Sequence, residues 1–142
     1  MPKRDQADLT SGSYKGDGIS GHQLPSADRL LSREANDQTF YATNIAPQSS
    51  SFNEGIWVNL ENSVRRWADK CDTLYVVTGC CVTTSANPDV KWSNDRNGKL
   101  VAYPQKYYKV VLSYSKSRTE NGGYSAIGFI LDNDSYADNT LY

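Results

Sequence analysis

The sequence predicts an α+β domain, a mostly antiparallel sheet with one long helix laid against it. Three observations carry that prediction. One segment has helical periodicity, three others have the Val, Ile, Tyr and Phe content of strands, and clusters of Asn, Gly, Pro and Ser separate them. At 142 residues the chain is the size of one compact domain, able to bury about two thirds of its unfolded surface. Hydrophobic residues at 38% and charged residues at 22% give a globular balance, not that of a disordered tail. No internal repeat is present, and a single domain over residues 1–142 is expected.

The elements follow in order. Residues 1–18, MPKRDQADLTSGSYKGDG, are polar and rich in Gly and Ser, and 1–13 reads as a loose N-terminal segment. ISGHQLPSADRL then places His22 after a glycine turn and ahead of Pro25, near strand and loop and not inside a helix. DQTFYATNIAPQ favours extended structure over Thr39 to Ile45. In NEGIWVNLENSVRRWADK the apolar residues Trp57, Leu60, Val64, Trp67 and Ala68 recur at steps of three and four, which predicts the one long helix. Asn53 falls near its start, Asp69 and Lys70 near its end. TLYVVTGCCVTT, YYKVVLSYS and YSAIGFILD read as sheet strands. ANPDVKWSNDRNGKLVAYP predicts a hairpin around Asn97 and Gly98, and the tail DNDSYADNTLY is too polar to carry a core element.

Charge and cysteine usage narrow the chemistry. The net charge of −1 gives no global basic field, so a polyanion partner has to be argued from local clusters. Two runs exist, Arg65, Arg66 and Lys70, then Lys106, Lys109, Lys116 and Arg118, and such runs ordinarily form solvated faces. No stretch reaches the roughly 18 apolar residues of a membrane span. Cys71, Cys80 and Cys81 are odd in number and two are adjacent, so at most one long-range disulfide is expected. With a single histidine and no CxxC, a zinc site of the Cys/His kind is not expected, and any metal must be held by oxygen.

His22 is the sole histidine, and a neutral imidazole is the side chain best matched to take a proton near neutral pH. On the predicted helix Asn53 and Glu61 are eight positions apart, an offset of about 80° over two turns, while Glu61 and Arg65 share a stripe. These can line one cleft. An amide oxygen is a hard neutral ligand suited to Mg²⁺, an ion that keeps several of its waters. Spacing alone leaves the plainer alternatives open: Asn53 as a helix N-cap, Glu61 and Arg65 as a surface pair, His22 as a structural residue.

The order GHQLPSADR, FYATNIAPQ, then FNEGIWVNLE with Arg65 after it closely resembles the DNA/RNA non-specific endonuclease family, whose core is a ββα-metal fold. The resemblance continues through LYVVTG, YYKVVL and AIGFIL, and covers roughly residues 14–132. It implies metal-dependent, sequence-nonspecific hydrolysis of DNA and RNA phosphodiesters with 5′-phosphate ends, and one Mg²⁺, or Mn²⁺, as cofactor. Position by position, it implies that His22 is the general base, Asn53 the direct metal ligand, and Glu61 the anchor of a metal-bound water. Arg65 would steady the site, and Asn44 would position the neighbourhood of the histidine. The partners implied are the DNA and RNA backbone, with a homodimer and an inhibitor protein left open. The implied location is secreted, periplasmic or organellar.

One departure stands out. The family reads Asp-Arg-Gly-His where this chain reads Ile19, Ser20, Gly21, His22, so Ser20 occupies the position of a phosphate-contacting arginine. Losing that guanidinium removes fixed charge aimed at the phosphate, a term worth a few kcal/mol, on the order of a hundredfold in rate. Arg29 or Lys15 is the expected substitute in holding substrate. The family also has more strand and loop ahead of residue 14, which reads as a fragment or a minimal form. Two other classes stay open: a catalytically impaired nucleic-acid-binding module, and a protein-interaction domain displaying some of the ten tyrosines.

Overall fold

The structure is a computed structural model that describes residues 19–94, 100–118 and 122–140. The segment 1–13, Lys15 and the hairpin tip at Asn97 and Gly98 lie outside the described residues.

Strand β1 (Ile19–His22) pairs antiparallel with β2 (Ile45–Gln48), so His22 is the last residue of its strand and faces Ile45 across the ladder. Between them the chain makes a 3₁₀ turn, Ser26–Arg29, and a short helix α1 (Arg33–Gln38) capped by Ser32, whose hydroxyl accepts from the Ala35 amide. The extended segment expected from Thr39 begins only at Ile45. Thr39 closes α1 by donating its hydroxyl to the Asn36 carbonyl, and Ala42–Asn44 winds into another 3₁₀ turn. β-Propensity there yields to these local side-chain bonds.

The helical region starts earlier than predicted. Ser49 is the N-cap, its hydroxyl accepting from the Phe52 amide, and α2 (Ser50–Phe52) leads into a wide π-type turn, Asn53–Trp57, before α3 (Val58–Ala68). Gly55 sits in that turn at φ −101°, ψ −111°, where a Cβ would lie 2.7 Å from Asn139 Oδ1.

β3 (Thr73–Cys81), β6 (Lys106–Ser115) and β7 (Gly123–Asp132) form an antiparallel sheet with β6 in the centre. β4 (Lys91–Asn94) pairs with β5 (Leu100–Tyr103) as the predicted hairpin. Phe52, Ile56, Trp57, Leu60 and Val64 pack on Tyr107 and Val111 of β6, with Trp67 stacked on Phe129 at 6.1 Å. The strand pair β1–β2 is tied to this core by Tyr107, whose hydroxyl donates to the Pro47 carbonyl at 2.9 Å. Asn133 adds a second tie, donating to the Pro47 and Pro104 carbonyls and accepting from the Ser49 amide. The polar tail therefore contributes to the core after all, since Tyr136 also packs against Phe52 although 133–140 forms no helix or strand.

Side-chain alternation corrects the reading of the second basic run. Tyr107, Lys109 and Val111 all point inward from β6, and Lys109 is 2% exposed. Lys106 pairs with Asp132 at the sheet edge. Cys71, Cys80 and Cys81 are free thiols. No helix among the described residues is long and apolar enough to cross a membrane.

Candidate active site

The end of β1, the 3₁₀ turn and the helical region converge on one open cavity of about 440 Å³. His22, Asn53, Glu61 and Arg65 line it together, with Pro25, Ser26, Ala27, Glu54 and Val58 completing the wall. Four of the residues singled out in sequence thus share a surface although 43 positions separate the first from the last.

His22 reaches the cavity because of its neighbour. A Cβ at Gly21 would run into the side chain of Gln48, which is fully buried on the other face of β1. Gly21→Ala is expected to destabilise the fold by about 1–3 kcal/mol through overpacking and to displace His22. Urea unfolding checks this, and wild-type stability would contradict it. The His22 ring meets Phe40 edge-on at 4.9 Å, and its Nε2 is buried without a hydrogen-bond partner among the described residues. Burial pushes the imidazole below its ordinary pKa, so the neutral, proton-accepting form prevails near pH 7.

Asn44 holds the loop that follows the histidine. Its side-chain oxygen accepts from the Leu24 amide at 3.0 Å, and its Nδ2 donates to the Leu24 and Thr39 carbonyls at 2.9 and 2.8 Å. It lines a second cavity, of about 360 Å³, which shares Pro25 and Glu61 with the first and into which Gln23, Asp28, Thr78 and Lys109 also face. Asn53 is not an N-cap, because Ser49 takes that role, and the wide turn gives it an offset from Glu61 different from that of a regular helix. π-Type turns of this kind occur frequently at functional sites.

Arg65 is clamped. Its Nε donates to Asp28 Oδ1 at 2.6 Å and its Nη1 to Asn62 Oδ1 at 2.7 Å, while its Nη2 lies 3.7 Å from Glu61 Oε2. Burial pushes the Glu61 carboxyl up to about 7; Lys109 and then Arg65 oppose that rise, Asp28 adds to it, and the Trp57 indole N–H opposes it. Ser20 shares the strand face of His22 by alternation but does not line the cavity, and Arg29 is exposed on the 3₁₀ turn, also outside it.

The DNA/RNA non-specific endonuclease family model matches residues 2–142. The chain belongs to that family. Nuclease 1, mitochondrial, of Schizosaccharomyces pombe is 34% identical over 145 residues, covering 98% of this chain and 44% of that protein. Human endonuclease G, mitochondrial, is 32% identical over 108 residues, 72% of this chain and 36% of that protein. A chain in the crystal structure of the EndoG/EndoGI complex superposes with a TM-score of 0.75 at 26% identity, over 94% of this chain and 55% of that chain. This member of the endonuclease family therefore has the ββα-metal fold, and it spans less than half the length of those two relatives.

Two residues of this endonuclease-family site escaped sequence reasoning. Asp28 stands in SADR as an ordinary turn residue, and only the fold brings it to Arg65, 37 positions away. Lys109 looked like part of a solvated run. Its Nζ donates to Thr78 Oγ1 at 2.7 Å and lies 4.7 Å from the centre of the Trp57 ring.

Proposed function

We propose that the cavity is a metal-assisted phosphodiesterase centre and that the protein is a non-specific endonuclease of DNA and RNA. The observation that carries this reading is the meeting of His22 and Asn53 on the wall of one cavity backed by Glu61 and Arg65. The donor chemistry fits a Mg²⁺ or Mn²⁺ held mainly by water and substrate. Among the described residues no group of three or more His, Cys, Asp or Glu forms a metal cage, whereas the Asn53 amide and the Glu61 carboxylate offer hard oxygens.

Asn53 would hold the ion directly and Glu61 would orient one of its waters. The bound ion would supply Lewis-acid stabilisation of the charge that develops on phosphate. His22 takes the proton of the attacking water, and the low pKa of its imidazole keeps it ready to do so. Arg65, fixed by Asp28, holds the Glu61 carboxylate in place. Only phosphate and sugar need be gripped, so binding should weaken as salt rises. Arg65 is the one cation on the wall among the described residues, and Ser20 stands where the family carries an arginine, which together favour a lowered rate. The mitochondrial names among the relatives support an organellar location beside the secreted or periplasmic one.

Plasmid nicking with Mg²⁺ and with chelator tests the reading. Cleavage should require the metal, and Asn53→Ala should lower it by about a hundredfold or more at limiting Mg²⁺, in line with loss of a first ligand. Cleavage that persists in chelator overturns the metal-assisted mechanism. Salt-sensitive binding with no cleavage would favour the impaired module instead.

A further inference from the structure

We propose that Lys109 is a positioning residue for this nuclease centre, a buried ammonium on β6 that packs on the Trp57 ring and sets the charge facing Glu61 across a shared cavity. The inference rests on the endonuclease reading above. An ammonium inside a core is costly, and an apolar side chain of similar shape is often as stable or more so, so stability does not explain a lysine at 2% exposure between Tyr107 and Val111.

Its surroundings point to the site. Among the described residues Lys109 has one hydrogen-bond acceptor, Thr78 Oγ1, and no carboxylate within ion-pair distance. Its second contact is the face of Trp57, a cation–π contact at 4.7 Å. Trp57 is itself 1% exposed, and its indole N–H faces the Glu61 carboxyl without completing a hydrogen bond. Lys109 and Glu61 also look into the same cavity, together with Asp28. Glu61 therefore stands between two cations, Arg65 at 3.7 Å, itself paired with Asp28, and Lys109 across the shared cavity beyond ion-pair distance. Removing Lys109 leaves the cluster around Glu61 one positive charge short and takes the ammonium off the Trp57 face, while Phe52 and Tyr107 keep that ring packed. Neither Lys109 nor Trp57 lines the cavity that His22 and Asn53 share.

The test compares the full chain with Lys109→Met and Lys109→Arg, reading thermal unfolding together with kcat and KM for a plasmid substrate in Mg²⁺. Lys109→Met is expected to keep or raise the melting temperature, to lower kcat about tenfold, and to leave KM within about twofold. Lys109→Arg, which keeps the charge, should recover most of that loss. Wild-type kcat in Lys109→Met overturns the proposal, as does a loss of kcat that merely follows a loss of stability and is not recovered by arginine. If Lys109→Met does not fold, the isosteric Thr78→Val decides: a fall in kcat of about threefold supports the role, and no change overturns it. Wild-type protein without metal-dependent cleavage would instead sink the nuclease reading itself and this inference with it.

Discussion

His22→Ala is expected to lower phosphodiester cleavage by about 10²- to 10⁴-fold, the range that a positioned general base contributes. The expectation has two supports. The imidazole stands at the end of β1 on the wall that Asn53 and Glu61 share, and burial keeps it neutral near pH 7. The ring is only half-buried and makes one aromatic contact, to Phe40, so its removal should move the melting temperature by no more than a few degrees. A supercoiled plasmid incubated with equal amounts of wild type and variant in Mg²⁺ measures the effect, and equal nicking would remove the proposed base. The pH dependence follows from the same group. A lowered pKa means that the base form persists below the usual histidine range, so His22 limits cleavage only at more acidic pH.

Glu61→Gln is expected to abolish most cleavage and, without metal, to stabilise the protein at pH 8. The carboxyl has an ordinary value of 4.5 and rises to about 7 in the fold, chiefly through burial. A raised folded-state value means that the native state holds its proton more tightly than the unfolded chain does. The associated stability is complete below the unfolded value and is lost as pH climbs through about 7. Ionised Glu61 therefore costs the metal-free protein up to on the order of 3 kcal/mol at pH 8. Glutamine, neutral at every pH, escapes that cost but leaves Arg65 with Asp28 and Asn62 as its partners. A gain of about 1–3 kcal/mol at pH 8 that shrinks toward pH 5 is the result to expect from urea unfolding in chelator. A variant less stable than wild type at pH 8 would show that the Glu61 charge is fully compensated. The prediction is a stability–activity trade-off: the site keeps a carboxylate that the fold alone would prefer neutral.

Much of this was legible in the chain itself. The three strands of the large sheet were written in their β-branched and aromatic content, and the steps of three and four from Trp57 to Trp67 marked the inward face of the helix. The order of the GHQLPSADR, FYATNIAPQ and FNEGIWVNLE motifs was enough to single out His22, Asn44, Asn53, Glu61 and Arg65, and the fold brings four of them to one cavity and sets Asn44 in the neighbouring one. The sequence places the start of the helix near Asn53 because asparagine is itself a favoured cap, whereas in the fold the cap is Ser49. Only the Phe52 amide selects Ser49.

The sequence by itself determined the three strands of the large sheet, the long helix and which chemistry the chain can attempt, because periodicity, turn chemistry and motif order are local properties. Tertiary structure alone decided how that chemistry is supported. YYKVVLSYS has apolar residues at both parities, so alternation could not say whether Lys109 faces water or the core; the choice came from packing Tyr107 and Val111 against α3. Asp28 likewise acquires its meaning only when the 3₁₀ turn folds over α3 and meets Arg65. A charge changes role with the dielectric around it, and burial is a property of the whole fold that no window of sequence contains.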